Sequence, residues 1–312
     1  MCRTRRAKGL PGKLPRAIHT ASGAPCSLSW THSLELPKTL PETCCIHSNR
    51  IGIDLDRDNA FWPETQGEFG QFYAPFDWIN ESADIVLIGI TPGKRQAKSS
   101  FKALRAALSA GKSAEEAARM AKQAASFEGD MRDIAAQLMN RFDLHKLFRL
   151  ADVAELFGTA SHRAHYTSLL RYPVLHWQTK LRKDKTKTTG WFDYSGGDSA
   201  FTTDMLLRSI AEDFEPEITI FKDAWLVPFG PVPALALEKM ADRGLVDPDR
   251  ILPGVNHPSG TQWNRHNCQL NTSADHSRCA KNVGCATIRG RSERLEAIVA
   301  TRLEAANTRG NR

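Results

Sequence analysis

The stretch DIVLIGITPGKRQA, residues 84–97, constrains the fold more than any other part of the chain. Ile85, Val86, Leu87, Ile88 and Ile90 make a near-continuous apolar run. A strand with one wet face alternates apolar and polar residues, whereas a run apolar on both faces must be covered on both, as in a parallel sheet between helices. The run is far shorter than the roughly 20 residues that span a bilayer, and no other apolar run approaches that length. It ends in Thr91-Pro92-Gly93. That corner lies at the carboxyl end of the strand, where open α/β sheets hold their ligands.

Helix and strand signals alternate through the rest of the chain. Helices are expected over 99–108, 113–127, 130–142 and 150–157, the second opened by Ser113 with Glu116 three residues on, a capping-box pattern. A short strand over 165–170 stops at Tyr172-Pro173, and 180–187 reads as a loop with five basic residues and one acid. A turn at Gly196-Gly197, a helix over 205–214, a strand over 224–229 and a helix over 233–244 follow. A fourth strand, 250–255, runs into Asn256-His257-Pro258-Ser259-Gly260. A closing helix over 291–306 carries Leu295, Ile298, Val299 and Leu303 on one stripe. The pattern predicts a three-layer α/β/α fold around a central, mostly parallel four-stranded sheet. There is no internal repeat, and neither G-x-G-x-x-G nor G-x-x-x-x-G-K-[ST] occurs, which argues against an ordinary nucleotide-binding enzyme.

The net charge of +7 over 312 residues invites a nucleic-acid reading, but its placement weakens that inference. Residues 1–34 carry six Lys or Arg and no acid, leaving 36 basic against 35 acidic residues in the remainder. Local patches, not the overall charge, must carry any argument about a polyanionic partner. Residues 1–45 are Pro-, Ser- and Arg-rich without periodicity and are expected to be a disordered basic extension; residues 46–312 form the expected catalytic domain. An Arg-rich, acid-free start fits a mitochondrial transit peptide as well as an extended start in a bacterial protein. The expected location is accordingly the cytoplasm, near the nucleoid, or the mitochondrion or nucleus in a eukaryote. The seven cysteines stand at irregular spacings. Cys268, Cys279 and Cys285 lie near His266 and His276, yet no C-x₂-C pair occurs and Cys44-Cys45 are adjacent. The expectation is reduced thiols without a disulfide framework, no metal and no cofactor.

Two strand tips stand out, Gly89-Ile90-Thr91-Pro92-Gly93 and His257-Pro258-Ser259. In that order they resemble the two signature motifs of the uracil-DNA glycosylase superfamily, G-x-(D/N/E/A)-P-(Y/G) and H-P-S. Between them, HYTSLLRYPV resembles the family's middle strand, with Ser168 where the family commonly has Asn. LVPFGPVPALAL resembles its strand-glycine-helix element. The resemblance covers residues 75–305 and implies a monomeric DNA glycosylase that flips a pyrimidine nucleotide from DNA and hydrolyses its N-glycosidic bond.

The resemblance assigns roles residue by residue. His257 would donate a hydrogen bond to the pyrimidine O2, where negative charge gathers as the base departs. Ile90, Pro92, Gly93, Phe101 and Ser168 would line the base pocket, with Gly93 letting backbone amides approach base and phosphate. Phe101 would stack on the base if it is not a core residue. Ser259 would hold a flanking phosphate. The loop after H-P-S would fill the gap left by flipping, through Gln262, Trp263, Asn264 and Arg265. The basic segment, with Lys183 and Lys185 at its centre, would touch the DNA backbone. Two departures matter. Thr91 stands where active members carry an Asp that orients the attacking water, and it is no general base at neutral pH. Ser168 replaces an amide that reads uracil's edge, giving a roomier and less selective pocket. The implied substrate is a uracil-related or an enlarged pyrimidine such as a phage hypermodified cytosine, in DNA repair or anti-phage defence. The alternative is a member of the same fold that binds DNA with little or no catalysis.

Overall fold

The buried run at 85–90 does form a strand, and its neighbours pair parallel to it. The computed structural model of the chain describes residues 64–182, 184–271, 279 and 281–310, all within the unit Asn49–Arg312. The expectations for residues 1–45, and those involving Cys44, Cys45 and His276, lie outside these residues, as does Lys183.

Among the described residues seven strands fall in chain order: β1 (Glu64–Gln66), β2 (Phe69–Gln71), β3 (Ile85–Gly89), β4 (Ala164–Ser168), β5 (Val174–Leu181), β6 (Lys187–Asp193) and β7 (Trp225–Pro228). The longer helices are α1 (Lys94–Ser109), α2 (Ala114–Ala125) and α3 (Asp130–Asn140), then the short α4 (Leu144–Phe148), α5 (Asp204–Ser209) and α6 (Glu215–Thr219). α7 (Pro231–Asp242), α8 (Trp263–Leu270) and α9 (Cys285–Gly310) follow. One π-turn, Ile210–Phe214, joins α5 to α6.

The parallel sheet has the order β4-β3-β7, with β3 in the middle and Ile85 in register with both Ala164 and Trp225. Every residue of β3 is buried. Ile85 and Leu87 face one cluster, built from α3, α4 and α9 through Leu138, Met139, Leu144, Phe148, Leu295 and Val299. Val86 and Ile88 face the other, with Met205, Leu206, Phe214, Leu237 and Met240 from α5, the π-turn and α7. Each of these four side chains contributes about 1.5–3 kcal/mol of burial, before the entropy of ordering the chain is set against it. The chain is thus an α/β protein whose sheet is covered on both faces.

The expected four-stranded parallel sheet is corrected in two respects. The segment 250–255 makes only one parallel bridge, Leu226 with Ile251, although Leu252 N–H donates to Leu226 O and Gly230 N–H donates to Val255 O. Pro253 has no N–H to give and Gly254 sits at φ +142°, so the ladder cannot continue through them. A second sheet, unforeseen from the sequence, is antiparallel with the order β1-β2-β5-β6. The expected basic loop 180–187 is the tip of its β5–β6 hairpin: Leu181 pairs with Lys187, and Asp184 accepts from the Thr186 N–H and hydroxyl.

Helix boundaries follow local chemistry. Ser113 caps α2, its hydroxyl accepting from Glu116 N–H at 3.1 Å. α1 starts at Lys94, earlier than expected, because Gln96 folds back to accept from Gly93 N–H and Asp193 accepts from Lys94 N–H. The helix expected over 150–157 is instead α4 followed by a 3₁₀ turn, Val153–Phe157, with Arg149 in the left-handed region between them. No helix among the described residues is long and apolar enough to cross a membrane.

Candidate active site at the strand tips

β3 leads to β4 on one side and, later, to β7 on the other, so its carboxyl end is where the winding reverses. Crevices at such switch points hold ligands in open α/β sheets. A small cleft lies there, partly open to solvent, with room for the centre of a water-sized sphere over about 40 Å³. Its lining combines the two tips, through Gly89, Thr91, Pro92 and His257, with Ser168 and Thr167 of β4. It also includes Phe76, Gln96, Lys122, Ser126, Phe127, Met131, Tyr166 and Arg171.

Gly230 positions His257. It sits at φ +91° at the end of β7, and a Cβ there would lie 3.6 Å from the His257 Cβ. An L side chain would be strained in that conformation whatever the space. The tip is held from behind by Asn256, which is buried. Its N–H donates to Gln269 Oε1 at 2.8 Å, its Nδ2 to Arg265 O, and its Oδ1 accepts from Arg291. His266 of α8 donates from Nε2 to the His257 carbonyl at 2.9 Å. The His257 ring has no hydrogen-bond partner among the described residues. Burial, with a smaller push from His266, lowers its pKa to about 4. At neutral pH it is an uncharged imidazole with an N–H available at the cleft.

Thr91 is more committed than its sequence context implied. Its hydroxyl donates to Tyr172 O at 3.0 Å and accepts from Val174 N–H at 3.1 Å. The side chain therefore straps the β3 tip to the turn that enters β5, leaving one lone pair. Ser168 is partly exposed at the end of β4 and pairs in register with Gly89; its Oγ would lie 3.2 Å from a Cβ at that glycine.

Other expected pocket residues lie elsewhere. Phe101 does not line the cleft: it packs beside Phe72, Phe76 and Leu175 and meets Tyr73 edge-on, because α1 turns that position toward the second sheet. Ile90 is buried in the core on the α7 side. Gly93 lies beside the cleft, and its backbone is ordinary, at φ −84°. A Cβ there would come within 3.0 Å of Asp193 Oδ2. That carboxylate already occupies the start of α1, where a phosphate was expected to approach. The aromatic rings that do line the cleft are those of Phe76, Phe127 and Tyr166; Phe127 is held at φ 50° and packs edge-on against Tyr166 and Phe229.

Among the tip residues, Ser259 Oγ lies 3.0 Å from Thr261 Oγ1. Trp263 is 51% exposed and touches only the edge of His266 among the ring contacts. Arg265 is exposed, reaching Gln262 Oε1 at 3.4 Å. Gln262, Trp263, Asn264 and Arg265 border an open groove with Asn282 and Val283. Lys185 is exposed at the hairpin tip, and Lys180 lies over the Phe192 ring.

The sequence reading missed a buried charged cluster under the cleft. Glu217 is 1% exposed and accepts from Lys122 Nζ at 3.3 Å, Arg171 Nε at 3.0 Å and Arg171 Nη2 at 2.9 Å. His165 Nε2 lies 2.6 Å from Glu217 Oε1, while its Nδ1 accepts from Asn80 N–H. Nε2 therefore carries the proton and donates to the carboxylate. Burial works against the Glu217 charge, but Lys122, Arg171 and His165 together hold its carboxyl well below the usual range. Burial pushes the Lys122 amine below its ordinary pKa, with Glu217 opposing, and lowers His165 to about 4. Arg171 also pairs with Asp213 at 3.6 Å. Lys122 and Arg171 thus present cationic groups to the cleft from a rigid, ion-paired base.

Fold and site together define an α/β protein with a switch-point cleft lined by a neutral histidine, the buried Lys122 and the partly buried Arg171. The chain is 30% identical over 203 residues to YoxB of Bacillus subtilis (strain 168), an uncharacterized protein, a match spanning 64% of this chain and 74% of that one. It belongs to the family of YoxB. No protein-family model and no solved structure matches the chain.

Proposed function

We propose that this chain is a DNA glycosylase that draws a flipped pyrimidine into the switch-point cleft, hydrolyses its N-glycosidic bond and leaves an abasic site. The observation that carries the reading is the convergence of Thr91-Pro92 and His257, 165 positions apart along the sequence, on one cleft with Ser168. On this reading the fold is that of the uracil-DNA glycosylases.

The chemistry is consistent with the residues. Breaking the bond leaves the sugar cationic and the base anionic, so donors aimed at the base lower the barrier. A neutral His257 donates from its ring N–H to the pyrimidine O2 without first losing a proton. Lys122 and Arg171 keep the potential at the cleft favourable to a departing anion. Phe127 offers a ring beside the base. Trp263 and Arg265 project from the groove beside the tip, where a wedge into the duplex is needed, and neither is sequestered by the core. Ser259 stands beside them for a flanking phosphate.

A second reading, a DNA-binding member with weak or no catalysis, is favoured by one observation. The Thr91 hydroxyl is engaged by Tyr172 and Val174, which leaves it little capacity to orient a water. The two readings part in one experiment. Duplexes carrying uracil, ordinary bases or hypermodified cytosines are incubated with the protein and treated with alkali. Strand cleavage at one modified pyrimidine is expected. Retention of DNA with no cleavage on any duplex would favour the second reading.

A further inference from the structure

The three cysteines that spacing kept apart are together in the fold. Cys268 near the end of α8, Cys285 at the start of α9 and Cys279 between them place their sulfurs within 4.8 Å of one another. Cys268 is buried and the other two are partly so. Among the described residues, the surrounding apolar cluster contains, besides the cysteines, only Val283 and Ile288. That is little core for a connection between two helices, and small units of this kind commonly draw on a metal or a cross-link for stability.

We propose that Cys268, Cys279 and Cys285 form a mononuclear zinc site with three thiolate ligands, which fixes α8 against α9. Zinc–sulfur bonds of about 2.3 Å at tetrahedral angles set ligand sulfurs roughly 3.8 Å apart, inside the 4.8 Å that encloses these three. Cys268 and Cys285, at 2.6 Å, must open by about an ångström through side-chain rotation to reach that spacing. A multi-iron cluster would require the sulfurs to stand wider still. Binding balances as one zinc ion displacing three thiol protons. The site would act on the tip at a distance. Gln269, next to Cys268, accepts from Asn256 N–H and donates to Gly254 O and Ser292. The same helix carries Trp263, Arg265 and His266. Fixing α8 therefore fixes the loop that holds His257. The inference stands independently of the proposed reaction.

The test is metal content and ligation in the full-length protein. Purified without chelators, the wild type is expected to hold about one zinc per chain, as is a variant with Cys2, Cys26, Cys44 and Cys45 all replaced by Ser. Cys285→Ser should fall to roughly a tenth of that or less. If Cys285→Ser does not fold, cobalt(II) added to metal-stripped wild type decides instead, by thiolate-to-cobalt charge transfer in the near ultraviolet and tetrahedral bands in the visible. Loss of zinc from the four-Ser variant would overturn the proposal. So would iron in place of zinc, a Cys268–Cys285 disulfide in peptide mass spectra, or the absence of the cobalt bands.

Discussion

Replacing Glu217 by Gln tests whether the charged base beneath the cleft is held together as the distances imply. Glu217 takes four polar contacts, from Lys122, His165 and twice from Arg171. Gln keeps the shape but has no charge, and it turns an NH₂ toward donors. Lys122, 2% exposed, loses its anion, and Arg171 keeps the Asp213 carboxylate at 3.6 Å and the Asp213 carbonyl at 2.7 Å. Removing one partner of a buried ion pair costs about 3–5 kcal/mol. Lys122→Met should cost clearly less, because Glu217 then remains bonded to His165 and Arg171. The pH dependence has a definite sign. The folded pKa of Glu217 is depressed, so its contribution is present above the unfolded value near 4.5 and is lost as pH falls through the folded value. His165, lowered from 6.5 to about 4, adds loss in the window between those values, since the unfolded chain takes up the proton first; a shift of that size is on the order of 3 kcal/mol. Urea unfolding of wild type, Glu217→Gln and Lys122→Met at pH 7 and pH 5 reads both substitutions and the His165 window, and the Glu217 window is read below about pH 4.5. A loss below about 1 kcal/mol for Glu217→Gln, or a larger loss for Lys122→Met, would refute the reasoning.

Three further outcomes concern the proposed reaction. Ser168→Asn narrows the cleft beside Gly89 and restores a paired amide, so uracil excision should rise relative to any bulkier base; an unchanged ratio of the two rates would show that Ser168 does not contact the base. Trp263→Ala or Arg265→Ala should slow excision from duplex much more than from single-stranded DNA, because unstacking costs a few kcal/mol only where pairing is intact. Equal losses on both would remove the wedge role. Replacing Arg182 and Lys185 at the hairpin tip by Gln should flatten the dependence of log K on log salt by up to about two units if both touch phosphate, and an unaltered slope would leave them as solvated charge.

How much of this was legible in the sequence depends on the range of the interactions. The β3 run and its Pro-Gly corner were readable because burial on both faces writes itself into consecutive residues. The Ser113 cap was readable because capping chemistry is local. The second sheet was not: β1 and β2 are three residues each, and β2 pairs with β5 more than 100 positions away. The fourth strand failed at Pro253-Gly254, a breaker that the apolar pattern around it masked. The charged cluster left a signal that went unused. Phe214, Glu217, Ile218 and Phe221 fall at helical spacing, and all four are buried; an acid on that stripe points inward and requires partners. Lys122 likewise shares the buried face of α2 with Ala117, Ala121 and Ala125. Phe127 was passed over for Phe101 because nothing local distinguishes a ring facing the cleft from one facing the core. The cysteine group, gathered from two helices and the segment between them, obeys no short spacing rule.

The most direct test of the central claim is release of a free base under single-turnover conditions, with wild type and His257→Ala compared on DNA carrying uracil, ordinary bases or hypermodified cytosines. Chromatography and mass spectrometry identify the released base, and thermal melting checks that the variant is folded. The wild type is expected to release one pyrimidine, and His257→Ala to do so at a rate roughly 10²–10³ lower at unchanged melting temperature, the scale for losing one donor at a developing anion. No base released from any of these DNAs, or an undiminished rate in the variant, would contradict that claim.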